Sequence, residues 1–141
     1  MNLTRRHALG LAIGAGAATM LPLRTWAASN GADEAIAAFT GGSDVTEGGV
    51  SLTAPEIAEN GNTVPVAVEA VGATAILLLA GGNPSAGVAQ FNFGALSAAS
   101  QASTRIRLAG TQDLIAVAKM ADGSFAKATR NVKVTIGGCG G

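Results

Sequence analysis

The chain closes on Ile136-Gly137-Gly138-Cys139-Gly140-Gly141, and Cys139 is its sole cysteine. A thiol can attack, bind a metal or carry a covalent load. Glycines on both sides leave it nothing to pack against, so the usual role of a lone cysteine as a small buried hydrophobe does not fit. Gly137, Gly138, Gly140 and Gly141 give the segment a slim, freely rotating backbone. Fully extended, five such residues reach roughly 17 Å. One cysteine also excludes an internal disulfide framework and a cysteine-based structural zinc site, and no metal site is expected.

The surroundings limit what this thiol can do alone. The single histidine, His7, lies near the start of the chain, and the nearest cation, Lys133, is six positions back. The carboxylate at Gly141 disfavours thiolate, so ionisation is expected at or above the ordinary thiol range of about 8.5. A self-sufficient cysteine enzyme needs a depressed pKa and an oxyanion site, and the sequence supplies neither. Cys139 therefore reads as an attachment point made reactive by the active sites of other proteins. No catalytic residue is assigned. A frayed tail is the bland alternative, but an exposed thiol in an oxidising compartment is a liability, which argues for use. Two rivals stay open: a stand-alone exported thiol redox or sulfurtransferase protein, and a binding module dimerised through its cysteine.

Residues 1–27 read as a twin-arginine export signal. Arg5-Arg6 precedes Leu9 to Leu21, about thirteen uncharged apolar residues. That is too short for a bilayer span of roughly 20 residues. Cleavage is expected after Ala27, placing the mature protein in the periplasm, with no membrane attachment thereafter. Twin-arginine cargo crosses already folded. The whole chain balances nine basic against nine acidic residues, and losing Arg5, Arg6 and Arg24 leaves an acidic remainder. Neither state gives an electrostatic reason to bind nucleic acid.

Residues 28–136 must supply the body on which the terminal segment, 137–141, is mounted. The composition suffices for one domain with one core. Ala32 to Phe39 is expected to be helical, capped by Asn30, with Asp33 and Glu34 at its positive end and Gly41-Gly42 stopping it. Ile36 and Phe39 then share a face. Everything after Gly42 reads as β: Val45 to Leu52, bulged at Gly48-Gly49, then Val64, Val66 and Val68 alternating, with Pro65 marking an edge or a strand's beginning. The apolar runs Ala75 to Ala80 and Leu114 to Ala118 follow, and the alternations at Phe91/Phe93 and Ile106/Leu108 fall between them. Phe125 to Ile136 is the last strand or strand pair. Turn signals stand at Asn60-Gly61, Gly81-Gly82-Asn83-Pro84 and Asp122-Gly123. About seven short strands at this spacing argue for an antiparallel β-sandwich, with a barrel second.

Other features weigh less. Arg105 and Arg107 share a strand face and read first as solvated charge, and second as a contact for a partner or an anionic substrate. Glu56 and Glu59 read as loop charges. The Gly-Gly pairs lack a phosphate-binding context. The run from Ala73 to Gly82 reads first as a strand buried on both faces, and second as an apolar patch covered by a partner subunit.

Taken together, these residues resemble the SoxY family of bacterial sulfur oxidation. The likeness rests on the twin-arginine leader, Ala38-Phe39-Thr40-Gly41-Gly42, and Pro55-Glu56-Ile57-Ala58-Glu59-Asn60-Gly61-Asn62. It continues through Ser103-Thr104-Arg105-Ile106-Arg107-Leu108-Ala109, Met120-Ala121-Asp122-Gly123-Ser124-Phe125 and Val132-Lys133-Val134-Thr135-Ile136. It closes on the Gly-Gly-Cys-Gly-Gly terminus. The resemblance implies an all-β, immunoglobulin-like sandwich. It implies a non-catalytic carrier of sulfur intermediates, held on Cys139 as S-thiosulfonate and persulfide adducts, with no separate cofactor. The implied partners are a SoxZ-like subunit in a heterodimer or larger complex and, transiently, enzymes of the SoxXA, SoxB and SoxCD kind. A disulfide-linked homodimer is an accessible off-pathway state.

Overall fold

A computed structural model describes residues 31–137. The expected twin-arginine leader, the expected cap Asn30, and Gly138, Cys139, Gly140 and Gly141 lie outside the described residues. The described chain folds as one helix, α1 (Ala32–Thr40), followed by nine strands. These are β1 (Val45–Glu47), β2 (Ser51–Thr53), β3 (Ile57–Ala58), β4 (Val64–Glu69), β5 (Ala73–Ala80), β6 (Gly87–Asn92), β7 (Gln101–Ile106), β8 (Gln112–Met120) and β9 (Phe125–Val134). The expected seven become nine because the strand expected over Val45 to Leu52 divides into β1 and β2, and because β3, two residues long, carries no alternation.

Two sheets face each other. One has the order β1-β9-β8-β5-β6, with β3 added beside β9; the other is β2-β4-β7. The facing layers interdigitate as an immunoglobulin-like sandwich. Val64, Val66 and Val68 of β4 point inward with Leu52, Ile106 and Leu108. They meet Ile76 and Leu78 of β5, Leu114, Ala116 and Ala118 of β8, and Val132 of β9. The strict alternation of β4 follows from the two-residue period of a strand with one face in the core. The alanines of β8 leave room for the larger side chains opposite, as close packing requires.

Most pairings are antiparallel, as expected, but two are not. β1 and β3 both run parallel to β9, at Val45–Glu47 against Phe125–Lys127 and at Ile57–Ala58 against Lys133–Val134. Between them the chain crosses to the second sheet as β2. Gly48 and Gly49, at φ 96° and 78°, make that crossing, a backbone conformation that side-chain-bearing residues rarely adopt. The segment Val45 to Leu52 is thus two strands in different sheets, and not one bulged strand. Lys127 and Glu47, opposite each other in the first parallel pair, form an ion pair at 3.1 Å. Its exposure limits its worth to less than about 1 kcal/mol.

β5 is a central strand between β8 and β6, buried on both faces. The helix lies across its outer side, with Phe39 edge-on to Phe125 at 5.9 Å between ring centroids. The apolar run is therefore internal packing. The helix begins at Gly31, φ 84°, with no side-chain cap, and Gly41, φ 64°, ends it. Pro65 is the second residue of β4, ahead of the stretch that pairs with β2, so its missing N–H costs no bond on that side.

The β8–β9 turn contains a titratable contact. The Asp122 carboxylate accepts hydrogen bonds from the Ser124 hydroxyl at 2.6 Å and the Ser124 N–H at 2.9 Å. These bonds favour the charged form and hold the carboxyl below its usual value. A depressed folded-state value means that the contact contributes at neutral pH and is lost as pH falls through that lowered value. In an NMR titration, Ser124→Ala is expected to bring the Asp122 midpoint back up toward an ordinary carboxylate.

Candidate functional site: the root of the cysteine arm

The terminal segment grows out of β9, and three backbone anchors fix its root. The Lys133 N–H donates to the Glu56 carbonyl at 2.9 Å, and the Thr135 N–H to the Ala58 carbonyl at 3.0 Å. The Thr135 hydroxyl reaches the Glu59 carbonyl at 3.0 Å. Across the strand, the Val134 N–H donates to Thr111 Oγ1 at 2.9 Å. One residue further, the Ile136 carbonyl accepts from the Gly61 N–H at 2.8 Å, while the Gly61 carbonyl accepts from the Leu108 N–H at 2.7 Å. Gly61 is buried. The Asn60-Gly61 turn, legible in sequence only as a turn, thus ties the end of β9 to the loop after β7. Asn60 shapes it by accepting the Asn62 N–H on Oδ1 at 2.9 Å.

Gly137 is the last described residue. A Cβ there would collide with the Ala109 carbonyl oxygen. Its φ is not positive, so the need for glycine at this position is one of space.

Ala109 is itself held from behind. Asn83 Oδ1 accepts the Ala109 N–H at 2.9 Å, and Asn83 Nδ2 donates to the Arg107 carbonyl at 2.9 Å. Gln112, a buried polar side chain, donates from Nε2 to Asn83 Oδ1 at 2.8 Å and to the Gly110 carbonyl at 3.0 Å. Its Oε1 accepts the Gly82 N–H at 2.8 Å. Gly82 must lack a side chain for this approach, because a Cβ would stand 2.7 Å from Gln112 Cβ. Sequence reasoning named Asn83 only as part of a turn and passed over Gln112. The available signal was a polar residue, Gln112, in the inward register of Leu114, Ala116 and Ala118.

The other candidates fall on the surface. Arg105 and Arg107 are exposed, as are Glu56 and Glu59. Arg105 borders an open, mostly apolar concavity of about 610 Å³ on the outer side of the three-stranded sheet, lined also by Pro65, Ala67 and Ser103. Arg105 is the one charged side chain among the residues that line it. Among the described residues, no three His, Cys, Asp or Glu side chains come together to hold a metal ion.

Comparison with known proteins gives this geometry a family. Residues 36–139 match the family model of the sulfur oxidation protein SoxY. Among solved structures, the sulfur carrier protein SoxY from Chlorobium limicola f thiosulfatophilum is 40% identical. The match covers 74% of this chain and 96% of that one, with a TM-score of 0.65. A superoxide reductase (neelaredoxin) from Ignicoccus hospitalis, 17% identical over 62% of this chain and 80% of its own, shares the fold at a TM-score of 0.54. A putative superoxide reductase from Thermotoga maritima, 16% identical over 68% and 89%, does so at 0.52. No curated protein sequence matches. The chain belongs to the SoxY family, the sulfur carrier proteins of sulfur oxidation.

Proposed function

We propose that the protein is a non-catalytic periplasmic carrier that holds sulfur intermediates of thiosulfate oxidation on Cys139. The observation that carries this reading is the extent of the family match, which runs through the sandwich and the root of the arm to Cys139 itself. The root supports it: β9 delivers the chain to the edge of the domain, and only glycines flank the thiol beyond Gly137.

Loading joins the Cys139 sulfur to the outer sulfur of thiosulfate. The thiol proton and an electron pair leave, the electrons going to a haem enzyme of the SoxXA kind, and an S-thiosulfonate remains. A SoxB-like hydrolase then adds the oxygen of water to the terminal sulfonate sulfur. The bond to that sulfur breaks, sulfate and both protons of the water depart, and a persulfide stays on Cys139. A SoxCD-like enzyme, where present, oxidises that remaining sulfur. The carrier contributes no proton transfer to these steps. It contributes reach, slimness and a single point of attachment, so the entropy of bringing each intermediate to the next enzyme is small. A SoxZ-like subunit completes the complex, and a twin-arginine leader delivers the protein to its compartment.

Width is the testable part of this reading. Replacing Gly138 and Gly140 with tryptophan is expected to slow transfer at the partner enzymes by about tenfold or more, with the melting temperature unchanged. Undiminished turnover in that variant contradicts a thiol that must enter narrow clefts.

A further inference from the structure

We propose that Gln112 and Asn83 are positioning residues of the carrier site: they brace the Ala109–Gly110 backbone as a stop for Gly137 and so fix where the cysteine arm leaves the domain. The inference rests on the carrier reading and adds to it a definite origin for the arm.

The chain of contacts is continuous. Gln112 is 6% exposed. Its amide spans Gly82, Asn83 and Gly110, and Asn83 spans Arg107 and Ala109. Between them, the two side chains satisfy backbone groups at three of the four positions from Arg107 to Gly110. The fourth, Leu108, donates to Gly61, which in turn donates to Ile136. One short loop therefore meets both of the last described residues: Ile136 through Gly61, and Gly137 directly through the Ala109 oxygen.

Replacing Gln112 alone with an apolar side chain of similar size takes a partner from the Gly82 N–H, Asn83 Oδ1 and the Gly110 carbonyl, which costs stability whatever the role of the residue. What the two amides add is direction, because each of their bonds points at a particular atom: Gln112 holds Gly110 directly, and Asn83 holds Ala109. Here those bonds hold Ala109 and Gly110 beside Gly137. The stop matters for a tethered thiol, since a displacement of about 1 Å at a reacting group can cost up to about a hundredfold in rate.

The test uses the full mature protein with its partner subunit. Gly137→Ala removes the seat from the arm's side, and Gln112→Met removes the brace from 25 positions away in sequence. In the native protein, the Gly137 amide is expected to have a backbone order parameter near the rigid value of about 0.85, and in both variants to fall toward the flexible range below about 0.6. Transfer of bound sulfur to the hydrolase is expected to slow roughly tenfold in both, while alkylation of Cys139 by a small reagent keeps its rate. A structural role alone would change the melting temperature without changing mobility at residue 137. If Gln112→Met fails to fold, Asn83→Ala, which removes the bonds to Arg107 and Ala109 from a half-buried turn residue, decides the matter by the same two readouts. Native order at residue 137 in the variants, or native transfer rates, overturns the inference. If native protein takes up no sulfur adduct at all, the carrier reading itself has failed and this role falls with it. Adduct formation with unaltered mobility in the variants defeats the positioning role alone.

Discussion

Replacing Cys139 with serine is expected to abolish thiosulfate-dependent mass gain entirely while leaving the melting temperature of the sandwich unchanged. The two halves of this result come from separate parts of the molecule. Serine offers no sulfur to form the bond to thiosulfate, and the chain has no second cysteine to substitute for it. The core that determines stability runs from Leu52 to Val132 and stops short of the arm. Intact-mass measurement after loading, paired with thermal melting, checks both halves. Residual labelling would place the attachment elsewhere. A fall in melting temperature would mean that the thiol contributes to packing, against a slim free arm.

The second large effect lies in the core. Leu78 is fully buried in the central strand β5, with β8 on one side and β6 on the other. Leu78→Ala removes its contacts and leaves a cavity, at a cost of about 2–5 kcal/mol. For a domain of this size, each kcal/mol lowers the melting temperature by roughly 4–8 °C. Such a loss is a large share of a total stability of about 5–15 kcal/mol. The same truncation at Leu96, which is fully exposed at 101%, is expected to change stability by less than about 0.5 kcal/mol. Urea denaturation should show a lower midpoint for Leu78→Ala at constant slope, and no shift for Leu96→Ala.

The contrast between these residues also shows what a one-dimensional reading can reach. β4 was legible because a half-buried strand imposes a period of two, and Val64, Val66 and Val68 obey it; β8 was legible only as the apolar run Leu114 to Ala118. The buried run of β5 was legible as burial. β3 was not, because two residues carry no period, and the parallel pairing of β1 and β3 with β9 is a tertiary choice. Gly48-Gly49 was seen as a break, but a bulge and a change of sheet have the same local signature. The carrier role proposed for Cys139 rests on residue types, a thiol among glycines, and on the family match, because Cys139 lies outside the described residues. The seat for Gly137 was not legible: it joins Gly61, Asn83, Ala109 and Gln112, which come together only after β4, β7, β8 and β9 have packed.

The rival of an independent thiol enzyme makes a different forecast for isolated protein. It requires Cys139 to be alkylated rapidly well below neutral pH, as a thiolate with a depressed pKa would be. A carrier activated by its partners has no such requirement, and its alkylation should accelerate only as pH rises toward about 8.5.

Mass spectrometry of the C-terminal peptide, released from protein isolated with its partner subunit after exposure to thiosulfate and a loading enzyme, addresses the central claim most directly. The expected spectrum has Cys139 bearing a thiosulfonate, which becomes a persulfide once the hydrolase is added. A bare thiol at Cys139 throughout, while thiosulfate is still consumed, would contradict the account.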